Sequence, residues 1–286
     1  MKTNYSNPMT KGLRLSVTSA AFGFVLLHSM ATSQAAAPAS ASKPTIVLVH
    51  GAFAESSSWN PVIGRLLESG FPVVAAANPL RGLKSDAAYV AALIQSIKGP
   101  VVAVGHSYAG SVITDAAANT PNVKALVYVA GFAPEPGESA ATLSGRYPGG
   151  TLGPTLAPPV TLANGGKDLY IRHDKFHAQF AADVSATEAK TMAASQRPVT
   201  EAALNEPAAT ATWKTVPSWF IFGSEDKNIP EAAHTFMAQR AKAKETVDVK
   251  GASHVVMVSH PEAVAALIEK AAASVGSEPR VEAAAR

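Results

Sequence analysis

Gly105-His-Ser-Tyr-Ala-Gly110 places a serine, Ser107, among small residues between an apolar run and a helical pattern. The spacing matches the G-x-S-x-G nucleophile elbow, with Ala109 at the last glycine position and Gly110 directly after it. Such a turn holds the hydroxyl clear of the sheet on strained backbone, at a helix N-terminus that favours developing negative charge. A serine hydroxyl is a poor nucleophile at its ordinary pKa, so it needs a base, and the base needs an orienting acid. The chain order Ser, acid, His leaves His234, His254 and His260 as bases. His234 falls inside a helix running from Glu231 and reads as a surface or packing residue, while His260 precedes Pro261 and reads as a helix start. His254, in Gly251-Ala-Ser-His254, follows the last strand on the side where strand carboxyl ends gather, and is the expected base. The acid is expected one strand earlier, in Gly223-Ser-Glu-Asp226. Asp226 is favoured there, Glu225 reads as a solvated neighbour, and Glu135 or Glu138 could serve in its place. Asp248 lies within a strand and reads as structural. Oxyanion donors are expected from the backbone N–H groups of Tyr108 and of Ala52, in the loop His50-Gly-Ala-Phe53 that His50 braces.

These side chains need a frame. Thr45-Ile-Val-Leu-Val49 and Val101-Val-Ala-Val104 are continuous apolar runs, the pattern of strands buried on both faces. Phe71-Pro-Val-Val-Ala75, Ala125-Leu-Val-Tyr-Val129, Ser218-Trp-Phe-Ile-Phe222 and Thr246-Val-Asp-Val249 supply four more. Between them, helices are expected after Asn60-Pro61, from a cap at Asp86, over 111–118, from Glu231, and from Pro261 to about residue 272. Alternation at this pitch predicts an α/β fold: a mainly parallel sheet of about six strands with helices on both faces. Pro- and Gly-rich chain from Gly131 onward, then an Ala-rich, helical-looking stretch over 167–211, is too long for a connection. It predicts a cap over about 131–213, inserted after the fourth strand.

Residues 1–37 carry Lys2, Lys11 and Arg14, no acid, a short apolar run at 20–27 and small residues at 33–37. That pattern predicts a signal peptide and export to the periplasm or medium; the apolar run is too short to span a bilayer as an anchor. The formal charge of +3 comes from this leader: removing its three basic residues from the 24 leaves 21 against 21 acids. A neutral mature protein has no electrostatic case for nucleic acid or anionic lipid. With no cysteine, disulfides, thiolate zinc sites and iron–sulfur clusters are excluded. Residues 38–44 read as a linker, 45–273 as the folded domain and 274–286 as a flexible tail.

The first strand with His50-Gly51-Ala52, the elbow at Ser107, Asp226 and His254 together resemble the α/β-hydrolase fold. The similarity is to its small esterase and hydroxynitrile-lyase branch, and spans nearly all of 45–272. It implies a Ser–His–Asp carboxylesterase acting on a small-molecule ester, with no cofactor and no metal. Lyases of that branch typically carry Thr at the position of Gly51 and Lys at that of Val255, so both departures favour hydrolysis. A non-catalytic ligand-binding protein on the same fold, a hydroxynitrile lyase and a cofactor-free perhydrolase are the alternatives. His173 and His177 stand four apart with Asp174 between them, but no third metal ligand is evident and they read as solvated or cap-packing residues. Phe176 and Phe180 are expected to pack the cap or line a pocket. An apolar cap implies a hydrophobic substrate of modest size.

Overall fold

The computed structural model describes residues 43–275; the expected leader, most of the linker and residues 276–286 of the tail lie outside the described residues. The first half alternates β1 (Thr45–Val49), α1 (Asn60–Glu68), β2 (Val73–Ala76), α2 (Leu83–Gln95), β3 (Val101–His106), α3 (Ala109–Ala117) and β4 (Val123–Val129). The cap follows as α4 (Ala140–Ser144), β5 (Val160–Thr161), β6 (Lys167–Leu169), α5 (His173–Phe180), α6 (Ala186–Ser195), β7 (Val199–Thr200) and α7 (Glu201–Asn205). The chain then returns through β8 (Ser218–Gly223), α8 (Glu231–Arg240), β9 (Glu245–Val249), α9 (Val256–Ser259) and α10 (Pro261–Val275).

Among the described residues the main sheet has six strands in the order β2-β1-β3-β4-β8-β9, every neighbouring pair parallel. All six residues of β3 and of β8 are buried, as their unbroken apolar runs require when helices cover both faces. Helix α1 packs on α10 and α2 on α3. The order reverses at β1, which sends the chain to β2 on one side and β3 on the other. A crevice therefore opens between the loops that follow β1 and β3, where a doubly wound sheet takes its ligand. No helix among the described residues is long and apolar enough to cross a membrane.

Three local expectations change. Helix α2 begins at Leu83, so Asp86 does not precede it. Asp86 sits buried in the first turn instead, accepting the Arg81 N–H at 3.1 Å and the Tyr108 hydroxyl at 2.9 Å. Helix α3 begins at Ala109, two residues earlier than expected, directly behind the elbow. The stretch 167–211 is not helical throughout: β6 and β7 join β5 in a three-stranded antiparallel sheet. Strands of two or three residues carry no periodicity of their own, and their partners decide them.

Candidate active site

Each expected site residue stands just beyond the carboxyl end of a parallel strand: Ala52 after β1, Ser107 after β3, Asp226 after β8 and His254 after β9. Ser107 has φ +54°, a left-handed conformation that a non-glycine residue holds only when its surroundings impose it. Those surroundings are glycines. A Cβ on Gly105 would lie 2.5 Å from the Ala109 carbonyl oxygen, and one on Gly110 would lie 2.3 Å from that of Phe132. Ala109 fits at the last motif position because Gly110 takes the close approach. Gly110→Ala is therefore expected to destabilise the fold by about 2 kcal/mol or more, because backbone must move; an unchanged urea midpoint would refute this account of the turn.

The loops that carry Asp226 and His254 touch through another glycine. A Cβ on Gly223 would stand 2.2 Å from the Ala252 carbonyl oxygen, and Glu225 N–H donates to that same oxygen at 3.0 Å. This contact brings Asp226 and His254 together: Nδ1–H of the ring donates to Oδ2 at 2.6 Å, with both side chains almost fully buried. Oδ1 accepts the backbone N–H groups of Asn228 at 2.8 Å and Ile229 at 3.0 Å. Burial by itself would raise the Asp226 pKa; the His254 charge and the hydrogen bonds from His234 and His254 outweigh it and hold the carboxyl well below the carboxylate range. Glu225 is exposed. Glu135 and Glu138 are engaged elsewhere, with Lys214 at 2.6 Å and Arg240 at 2.5 Å.

Ser107, His254, Ala52 and Tyr108 line one cavity of about 320 Å³. Phe53 N–H is spent on the Arg197 carbonyl at 3.0 Å, whereas the N–H groups of Ala52 and Tyr108 have no partner among the described residues. Two free amides beside the serine are what an oxyanion needs. Among the described residues no hydrogen bond yet joins the Ser107 hydroxyl to the His254 ring, a contact that catalytic sites often complete only on binding substrate. The cap closes the cavity from above. The Phe180 ring meets the His254 ring edge-on, with ring centroids 5.0 Å apart, and packs on Phe176, while Gln179 Nε2 donates to the Lys227 carbonyl at 2.9 Å. Among the described residues no Asp, Glu, Lys or Arg lines the cavity.

Histidines that play no part in the expected chemistry prove to build the site. His50 Nε2 accepts the Asn78 N–H at 3.1 Å, tying the β1 loop to the chain after β2. His106 is wholly buried and its Nε2–H donates to the His254 carbonyl at 3.1 Å. Burial pushes both rings below the ordinary imidazole pKa, His106 strongly, so they are neutral. His234 is neither a surface residue nor simple packing: its Nε2 lies 3.1 Å from Asp226 Oδ2, and its ring stacks on Phe222 at 4.7 Å. Helix α8 shows no clean apolar face in Glu-Ala-Ala-His-Thr-Phe-Met-Ala-Gln-Arg, so periodicity could not orient it. The usable signal was Ile229-Pro230, which starts α8 directly behind the acid loop. His177 Nε2–H donates to the Val184 carbonyl at 3.0 Å, and His260 pairs with Ser259 at 2.9 Å.

A family model described as the alpha/beta hydrolase family matches residues 46–267. The alpha/beta hydrolase nvfD of Aspergillus novofumigatus is 23% identical over 250 residues, 80% of this chain and 97% of that protein. Among solved structures, polyneuridine aldehyde esterase superposes with TM-score 0.69 at 19% identity, covering 80% of this chain and 98% of the other. The methylesterase MES16 from Arabidopsis superposes with TM-score 0.64 at 17% identity, covering 81% and 99%.

Proposed function

This chain belongs to the alpha/beta hydrolase family, and from that premise we propose that it hydrolyses carboxylic esters of small to medium hydrophobic molecules. One observation carries the reading. A strained Ser107 shares a cavity with His254, whose other ring nitrogen is fixed to the buried Asp226 at 2.6 Å. In this reading Ser107 Oγ attacks the ester carbonyl as His254 Nε2 takes its proton, and Asp226 holds the ring and offsets the imidazolium charge. The Ala52 and Tyr108 amides receive the oxyanion. The imidazolium returns the proton to the departing alcohol. Water, activated by the same nitrogen, then cleaves the acyl-enzyme and restores Ser107.

Substrate class follows from the walls. A charged group entering a cavity that no Asp, Glu, Lys or Arg among the described residues lines would lose its hydration for nothing, which supports an uncharged ester. A volume of about 320 Å³ is at the small end for ligand pockets, which supports a molecule of modest size. Gly51 supports hydrolysis over cyanohydrin cleavage, because a Cβ there would meet Ser107 Cβ at 2.7 Å and the His106 carbonyl oxygen at 2.6 Å. On this backbone a threonine has no room.

The test is active-site labelling. A fluorophosphonate should modify the protein stoichiometrically, the adduct should map to Ser107, and short p-nitrophenyl esters should turn over at a rate that a chelator leaves unchanged. Tight ligand binding without labelling or turnover would move the protein to a receptor role. The composition of residues 1–37 further supports export with removal of that segment. N-terminal sequencing of protein recovered from periplasm and medium should begin near Pro38; full-length protein retained inside the cell would overturn the export reading.

A further inference from the structure

Four donors converge on the Asp226 carboxylate, and they use all of its lone pairs. Two are the backbone amides of Asn228 and Ile229 on Oδ1; two are imidazoles on Oδ2, His254 at 2.6 Å and His234 at 3.1 Å. An ionised carboxylate only accepts, so His234 must present Nε2–H to it. Its Nδ1 is buried with no partner among the described residues. As a bare lone pair that atom is tolerable; protonated, it would be a buried N–H without an acceptor. The ring is thus confined to one neutral tautomer, and its stack on Phe222, interplanar angle 8°, fixes the direction in which the N–H points.

A neutral donor suits this position. A lysine or arginine touching Oδ2 would hold the carboxylate as firmly, but would cancel the negative charge on which the His254 imidazolium depends. We infer that His234 is a positioning residue for the proposed base: it fixes the rotation of the Asp226 carboxylate so that Oδ2 stays aimed at His254 Nδ1, without neutralising it. The inference rests on the ester-hydrolase reading for its kinetic consequence, and on the hydrogen bonds alone for its structural one.

Two substitutions separate positioning from packing. His234→Phe keeps a flat ring on Phe222 and removes the donor; His234→Gln keeps an amide N–H within reach and removes the ring. Positioning predicts that kcat for a p-nitrophenyl ester falls about tenfold or more in the Phe variant with KM nearly unchanged, the scale of one hydrogen bond to a charged group. It predicts that the Gln variant stays within about threefold of wild type, its donor retained. The downfield proton resonance of the His254–Asp226 hydrogen bond should persist in wild type and the Gln variant, and shift or broaden in the Phe variant. Equal kcat in wild type and the Phe variant, or a Gln variant as impaired as the Phe variant, would overturn the inference. Should the Phe variant fail to fold, the Gln variant decides: near-wild-type kcat with the resonance in place supports positioning, and impairment refutes it. If wild type cleaves no ester at all, the hydrolase reading fails while the resonance still tests the hydrogen bond.

Discussion

Ser107→Ala is expected to lower kcat on a short p-nitrophenyl ester by roughly 10⁴- to 10⁶-fold, with KM little changed. In the proposed mechanism the substitution removes the atom that would form the acyl-enzyme and leaves the other proposed groups in place. Ala52 and Tyr108 still line the cavity, their N–H groups without a partner among the described residues, and His254 is still held by Asp226. Residual rate above the uncatalysed reaction should therefore survive, since oriented donors and binding stabilise the oxyanion against attack by water. The fold should survive as well. Ser107 makes its packing contacts through backbone: its carbonyl accepts from Gly110 at 2.9 Å and Phe132 at 3.1 Å, and neither bond involves the side chain. Alanine meets the same left-handed strain at φ +54° that serine already bears. An urea midpoint close to wild type, together with loss of fluorophosphonate labelling, is the expected pair. Wild-type turnover by a correctly folded Ser107→Ala protein would remove the serine from the mechanism.

The second large effect is on stability in mild acid. His50, His106 and His234 are buried, and burial lowers all three from the ordinary value of 6.5. Below that value the unfolded chain takes up protons that the folded protein refuses. Stability is then fully present above about pH 6.5 and is lost as pH falls toward the folded-state values. One ring can contribute at most about 1.4 kcal/mol per pH unit, the slope of a single proton, and the three act in the same direction. Acidification below pH 6.5 therefore removes stability, out of the roughly 5–15 kcal/mol that holds an ordinary domain. Asp226 has the opposite protonation chemistry but the same outcome. Its folded-state pKa is depressed, so its contribution is present above the unfolded value of 3.8 and disappears only below it. The loss between pH 6.5 and 5 is therefore a histidine effect. Urea midpoints measured at pH 7.5, 6 and 5 should fall steeply; coincident curves would show that these rings are not held neutral.

The strands and their order of use could be read directly from the chain. An unbroken β-branched run such as Thr45-Ile-Val-Leu-Val49 has few structural options, because only burial on both faces of a parallel sheet hides every residue. The elbow was legible for the same local reason: small residues at 105 and 110 flank one serine between a strand and a helix. Ala52, Asp226 and His254 could be nominated from position alone, since loops at strand carboxyl ends gather at one rim. Asp86 reads from the sequence as the cap of the second helix, whereas the structure places it inside the first turn of α2 as the acceptor of the Tyr108 hydroxyl, a contact 22 residues away.

What the chain determines by itself is whatever depends on near neighbours: strand runs, the elbow, and the sequence order of Ser107, Asp226 and His254. The tertiary structure decided which nitrogens and oxygens meet. It placed His234 on Asp226, His106 on the His254 carbonyl and Gln179 across the acid loop, and it paired the short strands of the cap. A hydrogen bond closes over about 3 Å, whereas helical periodicity tells only which side of a helix a residue occupies. On a helix like α8, with apolar and polar residues around its whole circumference, even that much is missing until the sheet and the acid loop pack against it.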